Sequence, residues 1–129
     1  MKKLLGIVVL GLLWCNTAQA EWTFVYTDIQ DYYYNKKTIT RGDGGNKYFW
    51  LLQNITSPTT NSKQEGKKSV AKHTEVDCKL KRYKWIQIIS YSEQMGKGNV
   101  VQSFSYDDDE WESAPPGSGM YNLFNKKIC

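Results

Sequence analysis

The chain has 129 residues, a formal net charge of +4, and 40% apolar and 14% aromatic residues. That length makes one domain around one core. One histidine, beside the two cysteines that a mature exported chain would keep and pair as a disulfide, is too small a ligand set for the usual His/Cys metal sites.

The first twenty residues read as a secretory signal. Lys2 and Lys3 form the positive start, Leu4 to Cys15 the apolar stretch, and Ala18-Gln19-Ala20 a small-residue cleavage site. Cleavage is expected after Ala20. The alternative is a lipoprotein signal that would acylate Cys15, but the bulky Trp14 before it argues against the peptidase that requires a small residue there. Removing residues 1–20 takes away two of 17 basic residues and none of 13 acidic ones, which leaves residues 21–129 as one domain at +2. No later segment approaches the roughly 20 apolar residues of a membrane-spanning helix.

From Glu21 onward, short strands alternate with turns. Trp22, Phe24 and Tyr26 alternate with Thr23, Val25 and Thr27, the period of a strand with one buried face. Tyr32-Tyr33-Tyr34 and Thr38-Ile39-Thr40 flank Asn35-Lys36-Lys37, which predicts a tight hairpin. Gly42 to Asn46 supplies residues tolerant of positive φ, and Tyr48 to Leu52 is apolar on both faces, as a central strand requires. Asn54 to Lys68 is polar and is expected to be a mobile loop. Ser69 to Cys78, Leu80 to Tyr91 and Asn99 to Tyr106 follow as strands. After Pro115-Pro116-Gly117, Ser118 caps a short helix whose Met120, Leu123, Phe124 and Ile128 share one face. The fold class is therefore α+β, an antiparallel sheet of about six strands with a short C-terminal helix packed on it.

Cys78 and Cys129 are the two cysteines left after cleavage, and export to an oxidising compartment pairs them. The bridge would tie the helix to the middle of the chain. Catalytic chemistry has little to rest on. His73 lies in a strand, with Glu75 on the same face as its one candidate partner and no nucleophile at a recognisable spacing, so no catalytic residue and no cofactor is assigned. Asp107 to Glu110, with Glu112 beyond, could suggest calcium but lacks the spacing and central glycine of an EF-hand loop, so it reads as a solvated turn and no metal site is assigned.

The basic counterpart is denser. Between Lys63 and Lys84 there are eight basic residues against three acidic ones. Lys79 and Lys81 alternate with Leu80, and Tyr83 and Trp85 continue their face, so cations and aromatics are expected on one side of a strand. Lys67, Lys68, Lys72, Lys79, Lys81, Arg82 and Lys84 are the candidate partner-binding residues. Such a face meets acidic proteins or glycans, and export argues against nucleic acid. Lysines also serve simply to keep a strand soluble and blunt its edge.

The order of features resembles the surface-adhesin protein E family of Gram-negative envelope proteins. The residues that carry the resemblance are the Trp22 strand, Tyr34 to Ile39 followed by Arg41, Trp50-Leu51-Leu52, Ser69 ahead of Glu75-Val76-Asp77-Cys78, Tyr91-Ser92 with Met95-Gly96 and Gly98 to Val101, Trp111 before Pro116-Gly117-Ser118, and the terminal cysteine. The resemblance implies a six-stranded antiparallel sheet with a C-terminal helix and a Cys78–Cys129 bridge. It further implies an exported protein, periplasmic or at the outer-membrane surface, that binds host matrix or serum proteins such as vitronectin through the basic segment from about Lys67 to Cys78. A homodimer is compatible with it. The segment departs from the family in having a sparser basic pattern, and the lipobox is missing. The alternative is a periplasmic structural or envelope-maintenance domain whose partner is an envelope component.

Overall fold

The computed structural model describes residues 21–107 and 110–129, so residues 1–20, with the expected cleavage site and Cys15, lie outside it. Among the described residues, seven strands form one antiparallel sheet. They are β1 (Thr23–Thr27), β2 (Asp31–Arg41), β3 (Lys47–Asn54), β4 (Ser69–Asp77), β5 (Arg82–Tyr91), β6 (Val100–Ser105) and β7 (Glu112–Ser113). The first six lie side by side in chain order. The two-residue β7 pairs with Arg82 and Tyr83 of β5, beyond the stretch of β5 that β6 covers. Each of the first six strands returns beside its predecessor because the connections between them are short enough to be hairpins or modest excursions.

The expected hairpin at Asn35–Lys37 is not there. Residues 31–41 form one strand, and the pairing with β3 jumps from Asn35↔Trp50 to Thr40↔Tyr48, leaving three extra residues bulged out of β2. The turn chemistry is present but closes on its own strand. Asn35 Oδ1 accepts from the Lys37 N–H at 3.1 Å, and the Thr38 hydroxyl donates to the Asn35 carbonyl at 2.7 Å. That hydroxyl also accepts from the Trp50 N–H at 3.0 Å and so replaces a lost ladder bond. The chain reverses instead at Gly44 and Gly45, with φ of 68° and 84°, where a side chain would be strained.

The segment from Asn54 to Lys68 also differs from expectation. It contains a helix, α1 (Thr60–Glu65), closed by Gly66 in the left-handed region. β3 lies between β2 and β4 as its two apolar faces require, and Phe49, Leu51 and Leu52 are fully buried.

The terminal helix is the one expected. The Ser118 hydroxyl accepts from the Tyr121 N–H at 3.1 Å, opening α2 (Gly119–Leu123), which widens into a π turn over Phe124–Ile128. Gly119 lets the helix start against the β1 side of the sheet, since a Cβ there would stand 2.5 Å from the Tyr26 ring. Leu123, Phe124 and Ile128 bury against Tyr34, Phe49, Leu51 and Val76, with Phe124 edge-on to Phe49 at 6.1 Å.

Strand alternation and register define two faces. The inner face, under the helix, carries Phe49, Leu51, Lys72, Thr74, Val76 and Tyr83. On the outer face, Leu52 and Ala71 are buried beside the 3-10 turn Gln94–Gly96, which is fastened by Met95 N–H to Asn54 Oδ1 (2.9 Å) and Gly96 N–H to Ser69 Oγ (2.9 Å). Cys78 and Cys129 form a disulfide, with Cα atoms 5.8 Å apart.

Candidate functional site

The basic residues of the Lys63–Lys84 stretch do not form one patch. Lys63 lies in α1 and Lys67 and Lys68 at the start of β4, whereas Lys79, Lys81, Arg82 and Lys84 lie at its far end, separated by a nine-residue strand of about 30 Å. Lys68 is exposed. Lys67 is part-buried and paired with Glu65 at 2.7 Å. Lys72 projects from neither end. It stands on the inner face with its ammonium 4.7 Å from the centre of the Trp85 ring, and burial, aided by repulsion from Lys67, pushes its pKa down.

Residues 78–81 form the tight turn between β4 and β5, so the expectation that Lys79 and Lys81 share a strand face with Tyr83 and Trp85 does not hold. The cause is Asp77. Its Oδ1 accepts from the N–H groups of Lys79 and Leu80, each at 3.1 Å, and its Oδ2 from Arg82 Nε at 3.0 Å, which bends the chain and puts Lys81 at a φ of 53°. These bonds, that from Leu80 foremost, hold the Asp77 carboxyl below the usual carboxylate range. Leu80 is left at the tip, 65% exposed.

Arg82 and Lys84 begin β5 on the outer face, and their aromatic partner is not the one expected. Trp111, brought alongside by the pairing of β7 with β5, receives Arg82 at 4.5 Å and Lys84 at 4.7 Å from its ring centre, while Tyr83 and Trp85 point to the inner face. Lys84 also pairs with Glu75 at 3.7 Å. Tyr83 lends its hydroxyl to Glu112 at 3.1 Å, and burial followed by that bond pushes its pKa up to about 12.

The disulfide enlarges the cluster in a way that local sequence reading missed. Lys126 and Lys127 sit two or three residues before Cys129, on the exposed side of the terminal turn, and the bridge brings that turn beside Lys79. Lys81 Nζ reaches the Tyr121 hydroxyl at 3.4 Å, which joins the β4–β5 turn to α2 directly. Among the described residues, Lys79, Lys126 and Lys127 have no carboxylate within ion-pair distance. One end of the molecule thus displays a basic surface around an exposed leucine, held together covalently. The signal was a dilysine close to a terminal cysteine.

His73 is occupied otherwise. It lies between Tyr48 and Trp50 on the outer face, stacked on Trp50 at 4.8 Å, and burial lowers its pKa. Glu75 shares that face but takes hydrogen bonds from Asn46 (2.9 Å) and Tyr48. Asp108 and Asp109 of the acidic run lie outside the described residues. Among the described residues, no group of three or more His, Cys, Asp or Glu side chains is arranged to hold a metal ion, and no helix is long and apolar enough to cross a membrane.

No curated protein and no solved structure matches the chain. A family model does. The model for surface-adhesin protein E matches residues 22–129, which spans the whole sheet, the disulfide and the terminal helix, and the chain belongs to that family of adhesins.

Proposed function

We propose that this chain is an exported, non-catalytic binding module, cleaved after Ala20, that presents its disulfide-closed end to an acidic surface of a host matrix or serum protein, vitronectin being the first candidate. The observation that carries this reading is the gathering of Lys79, Lys81, Lys126 and Lys127 around the Cys78–Cys129 bridge, with Leu80 exposed among them. Family membership supports the adhesive role. Lysines without an ion-pair partner around one apolar residue suit a partner with dispersed carboxylates or sulfates, and such contacts steer association and weaken with salt. Lys68, at the other end of β4, and the inward-facing Lys72 contribute little to this surface.

The test is binding of the purified protein to immobilised vitronectin over a range of salt, beside the variant K79A/K81A/K126A/K127A. These side chains are exposed or surface-lying, so the variant keeps the fold. About tenfold weaker binding by the variant, with a flatter salt dependence, is the expected result. Unchanged affinity removes the basic end from the interface. Protease digestion of a tagged copy on intact cells is expected as well; protection until lysis would place the protein in the periplasm and favour an envelope partner over a host one.

A further inference from the structure

The terminal helix covers only part of the inner face. Beyond it lies an open cavity of about 350 Å³, within the range of small-molecule sites. Two rows of side chains cross the strands there. Register places Lys72, Ile88 and Phe104 in one row, and Gln53, Val70, Ser90 and Gln102 in the next.

The first row is apolar except for its one cation. Lys72 has no carboxylate within ion-pair distance and no side-chain hydrogen bond among the described residues; the Trp85 ring at 4.7 Å is its near neighbour. Glu112 acts on it only through longer-range attraction, and its carboxylate is bonded to the Tyr83 hydroxyl. Lys67 at the rim is paired with Glu65. The cavity therefore carries one uncompensated positive charge.

A part-buried ammonium without a counter-ion is costly unless an anion completes it. Phe104, 52% exposed at the cavity wall, offers an apolar ring whose burial a ligand lying against it would gain. One ligand satisfies both. The side-chain amides of Gln53 and Gln102 make no hydrogen bond among the described residues and stand in the neighbouring row, ready to donate to the same anion.

We propose that this cavity is a binding site for a small amphipathic monocarboxylate, with its head on Lys72 and its apolar chain along Ile88 and Phe104 toward the β6 edge. The single charge selects a monoanion, and the apolar row selects an acyl or aryl body. The site is separate from the basic end and does not depend on it.

Calorimetric titration with decanoate tests this, on protein with its disulfide formed. Saturable binding of one decanoate per chain is expected, with decanol at least tenfold weaker. K72M keeps the length and packing of the stem and is expected to weaken decanoate at least tenfold, whereas K72R stays within about threefold of wild type. F104S alters an exposed residue and so keeps the fold; it is expected to weaken decanoate severalfold more than butanoate, which makes the test independent of how K72M folds. Absence of saturable decanoate binding overturns the proposal. So does equal binding of decanol, or equal decanoate affinity in well-folded K72M.

Discussion

The Asp77 carboxylate takes Arg82 on one oxygen at 3.0 Å and two backbone N–H groups of the β4–β5 turn on the other. One side chain therefore sets the conformation of the turn that carries Lys79, Leu80 and Lys81. The bonds favour the ionised form, so the folded-state pKa lies below the unfolded one, which is about 4. The folded state binds fewer protons, and the stability from this group is fully present above the unfolded pKa and lost as pH falls through the folded one. In D77N the amide oxygen can still accept from the turn, but the ion pair and the titration are gone. Urea unfolding from neutral pH to about pH 2 should show wild type losing this component on acidification and D77N lacking it. Parallel acid limbs for the two proteins would mean that other carboxyls dominate.

The disulfide joins Cys78, directly after β4, to the end of the helix whose face fills the core. It closes a loop of 51 residues, which on the chain-entropy model is worth about 4 kcal/mol. The double variant C78S/C129S should lose most of that in urea unfolding, and the terminal turn should be the first region to exchange its amide protons. Its affinity for an acidic partner should also decline, because Lys126 and Lys127 are no longer held beside Lys79. Stability equal to wild type would show that Leu123, Phe124 and Ile128 suffice to seat the helix.

Features written in a few adjacent residues were legible in the sequence. The Ser118 cap, the glycine turn after Arg41 and the doubly apolar β3 each follow from local chemistry that has one common structural outcome. The Asn35–Lys37 turn was not, because an Asx-type bond from Asn35 to Lys37 N–H serves equally in a hairpin and in a bulge, and only the pairing of Thr40 with Tyr48 decides between them. The helix at Thr60–Glu65 has no apolar face, so no periodicity announces it. The candidate site was half visible. Its lysines on β4 and β5 were named from charge density, but density along a chain cannot tell an exposed Lys79 from a Lys72 turned into a cavity. The Trp111 platform and the dilysine near Cys129 come from long-range pairing, by β7 and by the bridge, and neither is written locally.

The bulge in β2 rests on a single hydroxyl. Thr38 Oγ1 donates to the Asn35 carbonyl at 2.7 Å and accepts from the Trp50 N–H at 3.0 Å, so one atom both closes the bulge and repairs the ladder. T38V keeps the shape of the side chain and removes both bonds, leaving the Trp50 N–H without its acceptor. An unsatisfied part-buried donor costs about 1–3 kcal/mol. T38S retains the oxygen and should stay close to wild type. The decisive readout is amide exchange at Trp50, which T38V should accelerate well beyond any change at Leu51 and T38S should leave alone. If T38V exchanges at Trp50 as slowly as wild type, the strand pairing on either side holds the bulge without the hydroxyl, and the three extra residues are tolerated by the sheet rather than fastened to it.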